Sequence, residues 1–249
     1  MRRLDGKTAV VTGGGTAGIG RATAARLVAE GAHVFVTGRR TAELDEAVEA
    51  IGGNVTAVPG DITDTDDLDR LYAAVAARGR GLDVLFANAG TASFQTLEAT
   101  TLDEFDRVVD VNVKGTLLTV QKALPLLNEG ASIIVNASTS AARGVAGMGV
   151  YAASKAAVRA LARAWANELT GRGVRVNVVS PGPTDTSGVV ELVGEENIEA
   201  YNAGLSDQLP IGRIGRPEEV AAVVAFLASS DSSFMLGAEV HVDGGVNQI

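Results

Sequence analysis

Short runs of β-branched residues alternate along this chain with longer segments rich in Ala, Leu, Glu and Arg, and this alternation restricts the possible folds most. Val and Ile suit strands that are covered on both faces. The runs predict strands at 8–12, 33–37, 55–58, 84–87, 132–136, 174–179 and 239–242. The segments between them predict helices at 19–30, 42–50, 65–77, 102–127, 151–170 and 217–227. The pattern indicates a doubly wound α/β fold with a seven-stranded parallel sheet and helices on both faces.

No linker, repeat or low-complexity tract interrupts the alternation, so residues 1–249 are predicted to form a single domain. Segment 187–209 differs, because it is polar, contains glycine and lacks a strand-like run. We call residues 187–209 the flap and expect it to be helical and mobile beside a substrate cleft.

Composition excludes several classes of function. The net charge of −9 argues against a nucleic-acid surface, and the absence of cysteine excludes disulfides, thiolate catalysis and Cys-ligated zinc. His33 and His241 lie in or beside predicted strands without metal-ligand partners, so we expect no metal site. The chain has no apolar run of about 20 residues and no apolar segment after its first charged residues, which predicts no membrane span, no signal peptide and a cytoplasmic location.

The first predicted strand ends in a glycine-rich turn, Thr12-Gly-Gly-Gly-Thr-Ala-Gly-Ile-Gly20, and a helix follows. Glycines permit a tight turn and a close approach of the backbone to a pyrophosphate, while the helix N-terminus presents free N–H groups to the anion. The alternative is a flexible glycine-rich loop, which the position after strand one disfavours. The candidate phosphate-binding residues are Gly14, Thr16, Gly18, Ile19 and Gly20.

The second predicted strand ends in Thr37-Gly38-Arg39-Arg40. An NAD-binding protein usually carries an acidic residue here for the ribose 2′-hydroxyl, whereas Gly38 leaves room for a 2′-phosphate. Arg39 can bind that phosphate with two N–H groups, and Arg40 adds positive charge. We therefore expect NADP(H) as the cofactor; the alternative is that both arginines are solvated charges at a helix start.

A tyrosine and a lysine, Tyr151 and Lys155, are four residues apart on a predicted helix and so share one face. The ammonium is expected to lower the phenol pKa, which would let the tyrosine exchange a proton with a carbonyl or alcohol oxygen. Ser138 follows the fifth strand, from which its hydroxyl could meet the same oxygen. Either motif alone is compatible with a surface or capping role.

Further short motifs lie near the other strand ends: Asp61-Ile62, Asn88-Ala89-Gly90, Val111-Asn-Val-Lys-Gly115, Pro181-Gly182 with Thr184 and Thr186, and Val242-Asp-Gly-Gly245. Together with the glycine-rich turn and the tyrosine helix, they resemble the short-chain dehydrogenase/reductase family in its shorter, single-domain Rossmann-type form. The resemblance covers nearly the whole chain. One departure is four residues rather than three between Gly13 and Gly18, which is resolved if Gly14 takes the role of the first motif glycine.

The resemblance implies roles for these residues. Tyr151 would be the acid/base, Lys155 would lower its pKa and hold the nicotinamide ribose, Ser138 would orient the reacting oxygen, and Asn112 would support a water chain that returns the proton. Further cofactor contacts implied by the resemblance are Asp61, Ile62, Asn88, Ala89, Gly90, Pro181, Gly182, Thr184 and Thr186. The resemblance also implies a homotetramer.

The predicted substrate pocket is largely small or apolar, which favours a hydrophobic ketone or secondary alcohol. Its predicted lining, beside Ser138 and Tyr151, is Gln95, Val145, Met148, Val189, Val190, Leu192 and Tyr201. Alternatives within the family are a 3-oxoacyl thioester reductase and a sugar 1-dehydrogenase. A dinucleotide sensor without catalysis is a further alternative, although such a protein would be expected to lack the tyrosine or the lysine.

Overall fold

Parallel β-strands form one sheet in the computed structural model, which describes residues 2–15 and 17–249, except for the side chain of Leu192. Seven strands lie in the order β3-β2-β1-β4-β5-β6-β7. They are β1 (Thr8–Thr12), β2 (His33–Gly38), β3 (Val55–Pro59), β4 (Leu82–Ala87), β5 (Leu127–Asn136), β6 (Arg175–Pro181) and β7 (Glu239–Val242). The predicted seven-stranded parallel sheet is confirmed. The first three strands are added towards one edge and β4 to β7 towards the other, so the order of strands reverses between β1 and β4, which is where such sheets have their cleft.

Nine α-helices connect the strands within the described residues. They are α1 (Ile19–Ala29), α2 (Thr41–Ile51), α3 (Thr65–Ala77), α4 (Leu102–Val109), α5 (Thr116–Ala123), α6 (Gly149–Leu169), α7 (Ser187–Val193), α8 (Ile198–Ser206) and α9 (Pro217–Ala228). Three helices begin at the predicted residues. The side chains of Asp64 and Thr101 cap α3 and α4 by accepting backbone N–H groups of the first turn, and Pro217 is the first residue of α9.

The prediction of one continuous helix over 102–127 is wrong. After α4 the chain makes a π-helical turn, Asp110–Gly115, before α5 begins. At the far end Pro125 falls in a 3₁₀ turn, Leu124–Leu126, because proline cannot donate the next helical hydrogen bond. Leu127 then already belongs to β5. The π turn matters for the site, because it carries Asn112.

The sheet separates two apolar cores, which follow from the alternation of side chains along each strand. On one face Val10 and Ile133 pack with residues of α3, α5 and α6, including Trp165. On the other face Val11 and Ile134 pack with residues of α1, α2 and α9. With both faces covered, the edge at the carboxyl ends of the strands is left for function.

The flap contains α7 and α8, separated by a 3₁₀ turn, Glu195–Asn197. Its helical character is as predicted, and its mobility stays a prediction. Among the described residues, we find no helix with the length and apolarity needed to cross a bilayer.

Candidate functional site

The carboxyl ends of four neighbouring strands bring the sequence motifs to one edge of the sheet. Thr12 at the end of β1 is in register with Thr37 near the end of β2, and Asn136 at the end of β5 is in register with Val179 of β6. The glycine-rich turn, the Asn88 segment, Ser138 and the Pro181 segment each follow one of these ends. Parallel pairing therefore assembles motifs that are far apart in the chain.

The glycine-rich turn is packed so tightly that its glycines cannot be replaced freely. A Cβ on Gly20 would lie 2.1 Å from the carbonyl oxygen of Gly13, and one on Gly14 would lie 2.9 Å from Cγ1 of Val36. Gly18 precedes α1 without a side-chain cap, and among the described residues no side chain accepts the first N–H groups of that helix. The turn thus fits the pyrophosphate of a dinucleotide, whose charge the helix N-terminus favours. Thr16, a predicted contact, lies outside the described residues.

Asn88 secures this turn to the sheet. Its Nδ2 donates to the carbonyl oxygens of Thr12 at 2.8 Å and Gly13 at 3.3 Å, while the Thr12 hydroxyl accepts the N–H groups of Asn88 and Ala89, each at 3.0 Å. Asn136 donates in turn to Asn88 Oδ1 at 3.0 Å. Thr12 and Asn136 are thus site-building residues that the sequence analysis missed, although each is the last residue of a strand.

At the adenosine end, β2 stops at Gly38 and α2 begins directly after Arg40. Arg39 is exposed, as is Arg40, whose guanidinium binds the carboxylates of Glu43 and Glu191 at 2.7 Å each. Hydrogen bonding to Glu191 raises the pKa of Arg40. Both arginines therefore stand at the predicted position, but Arg40 is already paired with acidic side chains.

Asp61 and Ile62, two of the predicted cofactor contacts, differ in their surroundings. Ile62 is buried in the core, where it contacts the π turn, because a Cβ on Gly115 would lie 2.7 Å from its Cδ1. Asp61 Oδ1 accepts the N–H of Thr63 at 2.9 Å and its hydroxyl at 2.8 Å. One carboxylate oxygen of Asp61 is therefore committed to the local turn.

Ser138, Tyr151 and Lys155 converge as predicted. The Ser138 side chain lies close enough to the Tyr151 phenol to lower its pKa, and Lys155 Nζ lies 5.8 Å from the centre of the tyrosine ring. Lys155 is buried and donates to the carbonyl oxygen of Asn136 at 2.8 Å. The three predicted side chains therefore lie together at the end of β5 and the start of α6.

The pKa values in this cluster differ from the expectation. Burial raises the pKa of Tyr151, and the neighbouring Ser138 side chain lowers it only in part. Burial also lowers the pKa of Lys155 to about 8, because a charged ammonium is costly to desolvate. The net direction for the phenol is therefore upward, the opposite of the expected one.

Asn112 is held inside the π turn by three hydrogen bonds. Its Nδ2 donates to the carbonyl oxygen of Thr91 and to Oγ of Ser154, both at 2.9 Å, and its Oδ1 accepts the Thr91 N–H at 2.8 Å. Gly90 lies against it, since a Cβ there would be 3.1 Å from Asn112 Oδ1 and 3.3 Å from Lys155 Nζ. Asn112 thus joins the Thr91 segment to the helix of Tyr151.

The segment after β6 leads from the sheet edge to the flap. Pro181 is buried at the end of β6, the Gly182 N–H donates to Val242 at 3.0 Å, and the Thr184 hydroxyl donates to the Gly182 carbonyl oxygen at 2.9 Å. This places the predicted contacts Pro181, Gly182 and Thr184 beside the end of β7.

The flap begins against the glycine-rich turn. The side chain of Thr186 faces Gly18, since a Cβ on that glycine would lie 3.3 Å from it. The backbone N–H and the hydroxyl of Ser187 both donate to the carbonyl oxygen of Ala17, at 2.9 and 2.7 Å. The start of the flap is therefore docked at the phosphate end of the cleft.

The predicted substrate lining is only partly brought together. Gln95 donates its N–H to the carbonyl oxygen of Gly147 at 2.8 Å, which joins its loop to the segment that holds Val145 and Met148. In the flap, Val189, Val190 and Tyr201 are half-buried, and the side chain of Leu192 lies outside the described structure. Across the described residues, hydrogen bonds of the flap to distant segments reach Ala17 and Arg40, but none reaches Ser138, Tyr151 or Lys155.

Metal ligation receives no support from the described part of the chain, where no group of three or more acidic or histidine side chains could hold an ion. The candidate groups described at the sheet edge are the hydroxyls of Ser138 and Tyr151, the ammonium of Lys155 and the amide of Asn112.

Comparison with known proteins gives the family of this chain. A family model described as enoyl-(acyl carrier protein) reductase matches residues 14–247. Oxidoreductase asL5 of Sarocladium schorii is 49% identical over 251 residues, spanning 100% of this chain and 99% of its own length. The 3-oxoacyl-[acyl-carrier-protein] reductase FabG of Thermotoga maritima is 36% identical over 98% of this chain and 99% of its own.

Solved structures show the same fold. A short-chain dehydrogenase/reductase mutant from Serratia marcescens superposes with a TM-score of 0.89 at 36% identity, covering 98% of this chain and 99% of its own. A putative gluconate dehydrogenase from Agrobacterium tumefaciens gives 0.90 at 26% identity, covering 100% and 98%. The chain belongs to the short-chain dehydrogenase/reductase family and is an oxidoreductase that uses a nicotinamide dinucleotide.

Proposed function

We propose that this oxidoreductase uses NADP(H) to interconvert an apolar ketone and a secondary alcohol, with Tyr151 as the proton donor and acceptor. The observation that carries the proposal is the placement of Tyr151 next to the buried Ser138 and Lys155, with Lys155 Nζ 5.8 Å from its ring, at the same sheet edge as the glycine-rich turn. The close-packed turn and the uncapped start of α1 fit the pyrophosphate of the dinucleotide.

When bound, the nicotinamide supplies or accepts the hydride. Tyr151 gives its proton to the carbonyl oxygen during reduction and takes one from the alcohol during oxidation. Ser138, which lies beside the phenol, orients the reacting oxygen next to it. Lys155 places a group of pKa about 8 near the ring, which allows it to exchange protons close to neutral pH. Asn112 holds the Thr91 segment next to α6 through hydrogen bonds to Thr91 and Ser154.

The Tyr151→Phe variant tests the mechanism. It keeps the ring and its packing but removes the transferable proton, and a positioned acid contributes about 10²–10⁴-fold in rate. We expect turnover to fall by that factor while the dissociation constant for NADPH, followed by its fluorescence, stays near the wild-type value. Substantial residual turnover would contradict the role of the phenol.

The substrate proposal is tested by NADPH oxidation with a panel of apolar ketones, acetoacetyl thioesters and sugars. The small and apolar predicted lining favours the ketones. The FabG relative supports the thioester as the alternative, and the gluconate dehydrogenase likeness supports the sugar. A protein that binds NADPH tightly and oxidises it with none of these carbonyls would instead be a sensor.

The cofactor proposal rests on Gly38, which leaves the end of β2 without a carboxylate, and on the exposed Arg39 and Arg40. A hydrogen bond to a charged group contributes about 1.5–3 kcal/mol, or roughly 10–100-fold in affinity. Arg39→Ala should therefore weaken NADPH far more than NADH. Equal losses for the two cofactors would refute NADP(H) selectivity through this residue.

We also propose a homotetramer. Phe105 and Leu117, on α4 and α5, are exposed to 44% and 38%, which leaves apolar surface on these helices for a second copy. By contrast Val120 and Trp165 are buried in the core of the chain itself. Light scattering coupled to size-exclusion chromatography measures the mass directly, and a monomer would refute the proposal.

A further inference from the structure

Glu191, in the first helix of the flap, contacts the guanidinium of Arg40 across 151 positions of sequence. Its Oε1 accepts from Arg40 Nη1 at 2.7 Å, while Nε of the same arginine binds Glu43 at 2.7 Å. Two carboxylates therefore share one guanidinium beside the end of β2. The side chains of Arg40 and Glu191 are 49% and 58% exposed, so a ligand from solvent can reach the pair.

A 2′-phosphate arriving at this position meets two obstacles. A guanidinium can bind an anion with two N–H groups through its Nε–Nη2 edge or its Nη1–Nη2 edge, and one nitrogen of each edge already binds an acidic side chain, so the phosphate must compete with one of them. A carboxylate that stays in place repels the phosphate, which carries between one and two negative charges near neutral pH. The ribose hydroxyl of NAD(H) has no such charge.

Glu191 is the partner that the phosphate competes with most directly. Glu43 is three residues from Arg40 in the same helical start, so it stays near the guanidinium in any case. Glu191 belongs to the flap, which is anchored separately through Ser187 to Ala17. The flap can therefore keep its docked start when the Glu191 contact breaks.

We infer that Glu191 is a selectivity residue that weakens NADP(H) relative to NAD(H) by occupying Arg40. This inference rests on the proposed placement of the cofactor 2′-position beside Arg39 and Arg40. It predicts that Arg39 and Arg40 favour NADP(H) over NAD(H) by a smaller factor in the natural protein than the two arginines would without Glu191.

The test compares Glu191→Gln with the wild type by measuring dissociation constants for NADPH and NADH through cofactor fluorescence, at low and high ionic strength. Glutamine keeps the size of the side chain and removes its charge. Because exposed ion pairs are weak, we expect NADPH binding to tighten about two- to fivefold at low salt, less at high salt, with little change for NADH. Glu195→Gln, an exposed acid in the same flap, is the matched control and should leave both constants unchanged.

A double variant isolates the route of the effect. If Glu191 acts through Arg40, the gain from Glu191→Gln shrinks in the Arg40→Ala background. Unchanged NADPH binding in Glu191→Gln, equal tightening of both cofactors, or an equal effect of Glu195→Gln would each overturn the inference. Failure of the cofactor proposal is seen separately, as wild-type preference for NADH with no selective loss in Arg39→Ala.

Discussion

Gly90 separates two side chains of the site, which makes Gly90→Ala a sensitive probe of the arrangement. An added Cβ would lie 3.1 Å from Asn112 Oδ1 and 3.3 Å from Lys155 Nζ. Gly90 is not among the glycines with positive φ, so alanine adds bulk without backbone strain. The substitution therefore reports on packing at the site alone.

The magnitude follows from what must move. Both contacts are closer than ordinary van der Waals contact, so one side chain has to shift by a few tenths of an ångström. Asn112 is restrained by three hydrogen bonds and Lys155 by one, which makes the shift costly. Overpacking of this kind costs about 1–3 kcal/mol, or a fall in Tm of roughly 2–12 °C for a chain of this length.

We expect the kcat of Gly90→Ala to fall by more than the loss of folding stability alone would cause. A misplacement of about 1 Å in a catalytic group can cost about 10²-fold, so a smaller shift of Lys155 predicts a loss of roughly tenfold or more. Steady-state NADPH oxidation gives kcat, and differential scanning fluorimetry gives Tm. The control is Gly171→Ala, where a Cβ meets nothing within 4 Å. Wild-type kcat and Tm in Gly90→Ala would refute the reasoning.

Three further predictions test other parts of the site. Gly20→Ala should abolish dinucleotide binding, measured by NADPH fluorescence, because its Cβ would lie 2.1 Å from the Gly13 carbonyl oxygen and cannot be accommodated without breaking the turn. Denaturant titrations of the wild type and of Lys155→Met should give a difference in the free energy of unfolding that rises between pH 8 and about 10.5. Over that window the unfolded chain holds the lysine proton more tightly than the folded one, so raising the pH favours the folded wild type. A difference that does not change with pH would refute the lowered pKa. Asn247→Ala should reduce kcat with little effect on NADPH binding, since Asn247 Nδ2 holds the Thr139 carbonyl oxygen at 3.0 Å next to Ser138, and equal losses in both quantities would count against a positioning role.

The sheet and its functional edge were predictable because they depend on coarse properties of the sequence. A strand covered on both faces needs consecutive apolar residues, as in 8–12 and 132–136, and these runs are visible without knowledge of their partners. Parallel pairing then brings every strand's carboxyl end to one edge, so motifs as far apart in the chain as the glycine-rich turn and Ser138 reach the same edge.

Features that depend on single contacts between distant segments were not predictable. The periodicity over 102–127 does not distinguish an α-helix from one interrupted by a π turn, because the interruption is fixed by the tertiary hydrogen bonds of Asn112. The pairing of Arg40 with Glu191 likewise depends on where the flap docks. Charge and spacing in the sequence give no information about that position.

The tyrosine and lysine show the same limit within one helix. Their i, i+4 spacing places both side chains on one face, which the structure bears out with Nζ 5.8 Å from the ring centre. The spacing does not say where the ammonium donates, and it donates to the carbonyl oxygen of Asn136 at the end of β5. Burial consequently acts on both groups, raising the pKa of Tyr151 and lowering that of Lys155, and Ser138 is left to counteract it at the phenol. The i, i+4 spacing therefore predicts that the two groups are neighbours, whereas the balance of burial and contacts that sets their pKa values depends on the rest of the fold.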